Sequence, residues 1–326
     1  MQLCNARSRG PGSDCLDRYW QYPHPLSESP YRRGVYNRSE VRDFLTSRRE
    51  RLTPDGAGLT FYGGNRRVKG LRREEVALLA GLSVDYYVRL ERGNLSGASD
   101  SVLDALAQAL QLDDAERAHL YDLARAASSA GRRGSTPPSR VRAATLRVID
   151  AMATVPVYVR NGRFDILAAN QLGRALYAPV FESPLFAERG PVNSARFCFL
   201  DPAAEDFWVD WDKAADDSVA FIRSEAGRAP NDRVLTQMIG ELSTRSQAFA
   251  TRWARHDVKF HRAGVKRLRH PIVGELTLPY EAMDLSADTG LRLNVYTPEP
   301  DSPEAEALAL LASWTSWEPR LRTTRG

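Results

Sequence analysis

The residues with the clearest chemical potential form a dense basic run. Arg66, Arg67, Lys69, Arg72 and Arg73 place five positive charges within eight residues, with no acidic residue among them. Cations at this density can clamp phosphate groups, and the N-terminus of a following helix adds its own affinity for anions. A solvated basic turn is the ordinary alternative. The clamp is favoured if a nucleic-acid-binding element lies beside the run.

A second group of residues lies in the C-terminal half and suits either a ligand pocket or an ordinary core. Its members are polar or aromatic side chains: Asn170, Trp208, Trp211, Phe221, Phe249, Trp253, His256 and Tyr280. Aromatic residues at helical spacing are more often core than pocket, and asparagine after a strand is more often a helix cap. The residues alone do not separate the two interpretations.

The remaining histidines and arginines of this half suggest no metal or catalytic centre. His256, His261 and His270 are spaced by five and nine residues, which matches no zinc-binding helix, so structural hydrogen bonding is expected. Four arginines either hold an anionic ligand group, bind DNA or pair with the acidic residues of 201–217; they are Arg252, Arg255, Arg267 and Arg269. Catalytic motifs are missing, and Cys198 has no local base, so neither a cofactor nor an enzymatic activity is predicted.

Length and charge distribution divide the chain. Its 326 residues suffice for two domains, and the net charge is +4. Residues 31–140 carry 19 basic and 14 acidic side chains, a net charge of +5, whereas residues 141–326 have a net charge of −1. Three scattered cysteines fit a reducing cytoplasm and exclude a disulfide framework. No apolar run is long enough for a membrane span, so a cytoplasmic protein is expected.

Composition and hydrophobic periodicity place the elements that position these residues. We expect a disordered tail at 1–35, a helical domain at 36–127, a linker at 128–139, a second domain at 140–318 and a tail at 319–326. Helical patterns cover 72–80, 84–91, 101–110 and 113–127 after a first helix from Ser39. The second domain shows strands at 155–159 and 164–169 around a turn, helices at 203–226, 232–242 and 247–255, then strands at 258–261, 275–285 and 291–297, and a helix at 303–317. This order predicts one antiparallel sheet with helices on one face.

The most specific motif spans residues 70–93, GLRREEVALLAGLSVDYYVRLERG. Ala77 is small where two helices would touch, Gly81 suits a tight turn, Ser83 can cap the second helix, and Gly93 can end it. An inward face of four residues is expected to be core: Val76, Ala80, Tyr87 and Leu90. The motif resembles the helix-turn-helix of Cro-type repressors, the XRE regulator family, which implies a five-helix all-α domain that binds double-stranded operator DNA.

The resemblance makes residues 83–91 the recognition helix in the major groove. The residues expected to face bases are Ser83, Val84, Asp85, Val88 and Arg89. Arg89 and Arg92 either contact DNA or pair with Glu91 or Glu75, and Asp85 either accepts from a cytosine or favours its own helix terminus. Tyr86 either reaches a phosphate or packs on a neighbouring helix. Repressors of this shape also imply an ion pair between Arg49 and Glu91.

Downstream segments are similar to the MmyB-like ligand-binding domain of actinobacterial regulators. They include VYVRNGRFDILAAN, FLDPAAEDFWVDW, ELSTRSQAFATRWARHDV, KRLRHPIVGELTL and NVYTPEP. The resemblance implies a PAS-like α+β fold with a pocket for a small molecule. The expected fold class is therefore multidomain: an all-α five-helix domain joined to an α+β PAS-like domain with an antiparallel sheet.

These observations predict a cytoplasmic bacterial transcription regulator that binds operator DNA as a homodimer and senses a small, partly apolar ligand. One alternative keeps the DNA-binding domain and makes the second domain a dimerisation or protein-interaction module. A less favoured alternative gives the second domain an enzymatic activity. A ligand that co-purifies with the protein would separate sensing from pure dimerisation, and a buried polar cluster with strongly shifted pKa values would favour an enzyme.

Overall fold

The computed structural model describes residues 30–59, 68, 70–128, 140–187, 190–259 and 263–323; within these ranges the side chains are described from residue 38 to residue 314. Residues 1–29 of the predicted tail, residues 129–139 of the predicted linker and residues 324–326 lie outside the described ranges. Arg66, Arg67, Lys69 and His261 lie outside them as well.

Among its described residues, the N-terminal domain, called the head below, has five helices. They are α1 (Pro30–Arg51), α2 (Arg73–Leu79), α3 (Val84–Glu91), α4 (Asp100–Ala109) and α5 (Asp114–Ser128). Serine hydroxyls cap two of them: Ser83 accepts from the amide of Tyr86 and Ser99 from the amide of Val102. Such caps satisfy amides that have no partner inside the helix. The four residues predicted to face inward are buried as expected; they are Val76, Ala80, Tyr87 and Leu90.

The C-terminal domain is built on an antiparallel sheet. Its five described strands are β1 (Val157–Asn161), β2 (Ile166–Ala169), β3 (Ala263–His270), β4 (Gly274–Asp284) and β5 (Leu291–Tyr296), in the order β2-β1-β5-β4-β3. Side chains alternate across the sheet, so Val157 and Val159 lie on one face while Tyr158 and Arg160 lie on the other. β1 and β2 form the predicted hairpin around Asn161-Gly162.

A layer of helices covers one face of the sheet and buries the main core. The layer contains α7 (Gln171–Leu176), α8 (Ala178–Phe181), a short 3-10 helix (Pro184–Phe186), α9 (Ser194–Leu200), α10 (Ala203–Phe207), α11 (Trp211–Arg228), α12 (Arg233–Arg245) and α13 (Gln247–Trp253). The final helix, α14 (Pro303–Thr323), packs on α7 and β4. The α+β fold class with one antiparallel sheet is confirmed.

The opposite face of the sheet is covered in part by α6 (Ala143–Ala151), which corrects the prediction that helices lie on one face only. Ile149 of this helix is buried against Val157, Val159 and Leu293. Its apolar residues do not mark one buried face: Leu146 and Val148 are exposed, and Ile149 is its one buried residue among those described.

Four other expectations about elements were wrong. The predicted helix at 203–226 is two helices, because Trp208 and Val209 leave the helical path to pair with β3: Trp208 forms a bridge with Leu268, and the amide of Val209 donates to the carbonyl of Arg267 at 3.2 Å. Strand β3 was missed, since four of the eight residues of AGVKRLRH are Lys, Arg or His and the segment becomes a strand through its pairing with β4. Residues 258–259, predicted to begin a strand, lie in none. Helices α1 and α14 extend into the segments expected to be tails.

Within the described ranges, no helix is both long and apolar enough to span a bilayer.

Candidate DNA interface and ligand cavity

Helix α3 presents the predicted base-facing residues at the head surface. Ser83, Val84, Asp85 and Arg89 are exposed, and Val88 is half-buried. Gly81 adopts a φ of +64°, which gives the tight turn that sets the angle between α2 and α3. A helix that binds in the major groove needs exposed polar and apolar side chains at its N-terminal end and along one face, where they can contact the bases.

Glu91 on α3 connects this helix to α1 and α2, because it forms ion pairs with Arg49 and Arg73. Its carboxylate accepts from Nε of Arg49 at 2.6 Å, from the hydroxyl of Tyr87 at 3.2 Å and from Nε of Arg73. The expected pair between Arg49 and Glu91 is therefore confirmed. Burial raises the pKa of Glu91, but the hydrogen bonds and charges of Arg49 and Arg73 outweigh it and hold the pKa below its usual range. Arg73, assigned to the phosphate clamp from sequence, is an ion-pair partner of Glu91 in this structure.

An open depression of about 350 Å³ borders the recognition helix. It is lined by Arg38, Asp85, Val88, Arg89, Arg92 and Asn94. Arg89 lies over the ring of Tyr86 in the same helix, with 4.9 Å between its guanidinium carbon and the ring centroid, and Tyr86 packs in part against the core of the head. Arg92 is exposed at the end of α3, and Arg38 enters the site from α1. Arg38 escaped prediction because it lies 45 residues before Ser83 in the chain and reaches the recognition helix only through the packing of α1.

Arg72 is the other residue of the predicted phosphate clamp that lies within the described ranges. Arg72 is exposed at the start of α2, and its amide donates to the carboxylate of Glu75 at 2.6 Å. That capping contact holds the backbone of Arg72 while its side chain faces solvent. The contribution of Arg66, Arg67 and Lys69 stays a prediction, since these residues lie outside the described ranges.

Asn170 is a structural cap and does not line the cavity of the C-terminal domain. Its Oδ1 accepts from the amides of Gly173 at 2.7 Å and Val157 at 3.0 Å, and its Nδ2 donates to the carbonyls of Met152 and Val155. Both polar atoms of the side chain are thus bound to backbone. The pocket interpretation of Asn170 is corrected in favour of the capping alternative.

Five further residues of the predicted pocket lie outside the cavity lining. Trp211 donates from Nε1 to the carbonyl of Cys198 at 3.0 Å, and Phe249 is fully buried in the core. The carbonyl of Trp253 accepts from Arg223 of α11, and the carbonyl of His256 accepts from Arg48 of the head. Tyr280 is buried beside the cavity, with its ring centroid 5.5 Å from Nζ of Lys266. Helical spacing does not distinguish a core face from a cavity face, which is why the sequence left both interpretations of these residues open.

The four arginines predicted to hold an anionic group, bind DNA or pair with acidic residues each have a carboxylate partner. Arg252, Arg255 and Arg267 pair with carboxylates of the acidic 201–217 region, and Arg269 pairs with Glu275. The predicted pairing with the 201–217 region is therefore observed for Arg252, Arg255 and Arg267, whereas Arg269 pairs outside it. His270 bonds through Nε2 to the carbonyl of Ala175 at 2.9 Å and accepts from the amide of Ile272 at Nδ1, which agrees with a structural role.

A small cavity lies between the sheet and the helical layer. Its free space is about 30 Å³, and its lining is Tyr158, Arg160, Phe164, Tyr177, Ser194, Trp208, Ala214, Ser218, Phe221 and Lys266. Two predicted residues, Trp208 and Phe221, belong to it. Free space of this size admits about one or two water molecules.

Arg160 is the chemically decisive residue of the cavity. Its side chain is 1% exposed, and Nη1 donates to the carbonyl of Asn161 at 3.1 Å, but Nη2 has no hydrogen-bond partner. Burial lowers the pKa of its guanidinium. Among the described residues, no carboxylate forms an ion pair with it. A buried cation is costly unless it is paired, so the surroundings of Arg160 are chemically suited to an anionic group.

Two more groups strengthen the preference of the cavity for an anion. The indole Nε1 of Trp208 is buried and has no hydrogen-bond partner among the described residues, so it is a second donor at the cavity. Lys266 lies with Nζ 5.7 Å from the ring centroid of Trp208, and burial lowers its pKa although Asp217 acts in the opposite direction. The aromatic side chains of the lining add apolar surface beside these polar groups.

The turn before β2 holds the cavity wall in an uncommon conformation. Phe164 has a φ of +68°, and its ring centroid lies 4.2 Å from the guanidinium carbon of Arg160. The side chain of Asn161 supports the turn by accepting from the amides of Arg163 and Asp165. A bulky residue in the left-handed region is strained and persists where its surroundings require it.

Arg160 and Lys266 were not identified from the sequence as cavity residues. For Arg160 a signal existed: it interrupts an apolar strand and shares a face with Tyr158, two positions earlier. For Lys266 there was none, because its strand was not predicted. The two cations are 106 residues apart in the chain and meet only because β1 and β3 face the same helical layer.

Comparison with known families gives matches for both domains. Residues 141–311 match the family described as the MmyB-like transcription regulator ligand binding domain. Residues 40–120 match a family of helix-turn-helix domains. No curated protein matches the chain at a significant level.

Proposed function

The chain belongs to the family of MmyB-like transcription regulators, and on this premise we propose that it binds a specific operator as a homodimer and senses an anionic, partly apolar small molecule. DNA binding rests on the helix-turn-helix domain. The observation that carries sequence readout is the exposed face of α3 with Arg89, Asp85 and Val84, beside a depression rich in arginine.

Each residue of this face has a distinct chemical role in the proposal. Arg89 donates two hydrogen bonds to a guanine, Asp85 accepts from a cytosine amino group, and Val84 contacts a thymine methyl group. Three further arginines contact phosphates, which fixes the register without reading sequence; they are Arg38, Arg72 and Arg92. One recognition helix reads few base pairs, so two copies about 34 Å apart would supply the specificity of an operator.

The test of DNA recognition is selection from a random duplex pool with the full-length chain. We expect an enriched two-fold symmetric sequence, and we expect Arg89→Ala to cost about 1–3 kcal/mol and relax preference at one position. Arg245→Ala is the matched control, because Arg245 lies on α12 in an exposed pair with Glu241. Failure to enrich any sequence would contradict specific recognition, and a uniform loss for Arg89→Ala would make it a phosphate contact.

The proposed ligand class follows from the cavity. Arg160 and Lys266 supply two positive charges, Trp208 supplies a further donor, and Phe164 and Phe221 supply apolar surface. A carboxylate or a comparable anionic group on an apolar body satisfies all of them. Because the free space is about 30 Å³, a ligand larger than a water molecule must displace part of the wall.

Thermal unfolding with paired compounds tests this ligand class. Aromatic and alkyl carboxylates are compared with their primary amides, which keep the shape and lose the charge. We expect an acid to raise the Tm by about 5 °C at a hundredfold excess over Kd, while its amide does not. Arg160→Met and Lys266→Met should abolish the shift, and Arg245→Met should retain it. Equal shifts for acids and amides would contradict the role of the cations.

The alternatives predict different results in the same experiments. A C-terminal domain that only dimerises gives no stabilising acid and loses operator affinity when it is removed. An enzyme requires turnover of a stabilising compound, whereas the cavity offers cations that bind and orient an anion. Cys198 is buried, and burial raises the pKa of its thiol to about 12, so it stays protonated at neutral pH.

A further inference from the structure

Helix α11 is shared between the ligand cavity and the head. Ala214, Ser218 and Phe221 line the cavity and follow one another at spacings of four and three residues. Arg223 and Gly227 contact the head. They are four residues apart, and Arg223 comes two positions after Phe221. Two positions correspond to roughly 200° around a helix, so the two sets occupy opposite faces. One rigid element therefore forms a wall of the cavity and a support of the head.

Arg223 is the centre of the contact with the head. Its side chain is fully buried; Nη1 donates to the carboxylate of Glu40 on α1, and Nη2 donates to the carbonyl of Trp253. Its guanidinium carbon lies 3.8 Å from the centroid of the Trp253 ring. Burial raises the pKa of Glu40, but His256 and Arg223 lower it more, to about 2. The charged form of Glu40 thus depends on residues of the other domain.

Gly227 and His119 form a second, steric contact. The ring of His119 on α5 is so close to Gly227 that an added Cβ would lie 2.5 Å from its Cε1. On its other side the ring meets Phe44 edge-on, with 5.0 Å between the centroids. The ring of His119 therefore packs between α1 and α11. It fits there because Gly227 of α11 has no side chain.

Residues 253–259, called the bridging segment, add a third contact. Arg48 on α1 donates to the carbonyl of His256 at 2.5 Å, and Val258 is buried in the apolar cluster of the head. The segment is also tied to α11, because Ser224 donates to the carbonyl of Lys259 at 3.0 Å. Arg223, Gly227 and the bridging segment together hold the head and the C-terminal domain in one arrangement, and we call them the interdomain lock.

We propose that the interdomain lock couples the cavity to the DNA-binding head: a ligand that displaces α11 releases the lock and weakens operator binding. The inference rests on the proposed function. Since the cavity holds about 30 Å³ of free space, a larger ligand must move a wall, and α11 is the wall whose opposite face carries the lock. Such a ligand shifts the equilibrium by its preference for the displaced arrangement.

The exposure of the recognition helix in the locked arrangement indicates whether the ligand weakens or strengthens operator binding. Ser83, Val84, Asp85 and Arg89 are exposed while the lock is formed, so the locked arrangement does not cover the recognition helix. A lock also fixes the orientation of each head on its C-terminal domain, which helps a dimer present two helices at one spacing. The locked arrangement is therefore the DNA-binding one, and the ligand acts against it.

Hydrogen exchange of the full-length chain tests the coupling without DNA or ligand. Ser218→Phe fills the cavity from α11, Glu40→Gln breaks the lock from the head side, and Arg223→Met breaks it from the other side. Each variant should raise exchange in α5 and in the bridging segment by ~10-fold or more, because a buried charge pair is lost or displaced. Arg245→Met is the matched control, because Arg245 is an exposed arginine on α12. It should leave the exchange rates of these segments unchanged.

The outcomes separate the lock from its coupling to the cavity. Unchanged exchange in Glu40→Gln and Arg223→Met would overturn the lock. Faster exchange in these two variants together with unchanged exchange in Ser218→Phe would overturn the coupling. If Ser218→Phe does not fold by circular dichroism, Ala214→Leu fills the cavity from the preceding turn and takes its place.

Operator affinity gives the second readout. With a duplex selected by the wild-type chain, Glu40→Gln and Ser218→Phe should each bind ~10-fold more weakly, and Arg245→Met should bind as the wild type does. Equal or tighter binding would overturn the assigned direction. If the wild-type chain selects no duplex, the proposed function fails, while the exchange results still decide whether the lock exists.

Discussion

Buried charge decides the roles of individual residues in both domains. Glu91 has two arginine partners and a tyrosine hydroxyl, so its charge is compensated inside the head. Arg160 is as deeply buried and has no carboxylate partner in the described part of the chain. Because an uncompensated buried charge is unfavourable, the first arrangement is expected of a structural residue and the second of a binding residue.

Arg72 and Arg73 are adjacent and should respond differently to substitution. Arg72→Ala removes an exposed charge, so we expect the log–log salt dependence of DNA binding to flatten by ~0.9 with unchanged stability. Arg73→Ala removes a partner of Glu91 and should also lower the free energy of unfolding by about 1 kcal/mol. Salt titrations and urea unfolding of both variants measure this. Equal stability of the two would show that the pair with Glu91 contributes nothing.

At the scale of elements, close backbone contacts hold the recognition helix on α1. Gly93 follows α3 with a φ of +93°, and an added Cβ would lie 2.3 Å from the carbonyl oxygen of Arg38. The end of the recognition helix therefore rests directly on the backbone of the first helix. This contact places Arg38 beside Arg89 and Arg92 in the depression at the head surface.

Gly93 and Gly97 provide a matched test of that contact. Both have positive φ, but an added Cβ at Gly97 meets nothing within 4 Å. Gly97→Ala should cost about 1–2 kcal/mol from its backbone conformation, whereas Gly93→Ala should cost about 3 kcal/mol or more because the contact with α1 must also open. Urea unfolding gives both values. Equal losses would mean that α1 yields freely at this position.

At the scale of the whole molecule, a buried titratable group lies at the boundary between the two domains. His119 faces Glu40 and Arg48 of α1, Arg223 of α11 and His256 of the bridging segment. Burial lowers the pKa of His119 from 6.5 to about 4, and neither ring nitrogen has a hydrogen-bond partner. The folded chain therefore keeps this imidazole neutral at pH values where an unfolded chain protonates it.

The stability of the chain should consequently fall as the pH is lowered from about 6.5 to 4. In this window the unfolded state binds a proton that the folded state does not, which costs roughly 3 kcal/mol at the lower end. Below pH 4.5 Glu40 adds to the loss, since its folded pKa of about 2 is also depressed. Urea unfolding at several pH values should show a shallower decline for His119→Leu. An unchanged slope would exclude His119 as its source.

Much of the head was determined by the sequence itself. Its motif lies within 24 consecutive residues, so the spacing of Val76, Tyr87 and Leu90, the cap at Ser83 and the turn at Gly81 could be recognised from helical periodicity. Helix α3 has the predicted bounds, 84–91. Such local features depend on neighbours a few residues away, which is why a pattern reveals them.

The cavity and the lock were decided by tertiary structure alone. The break between α10 and α11 arises because Trp208 and Val209 pair with β3, a strand whose basic sequence becomes extended only against β4. That pairing brings Lys266 into the cavity with Arg160 and leaves α11 between the cavity and the head. These contacts join residues that are distant in the chain, and their energy comes from packing and charge compensation that no local pattern records.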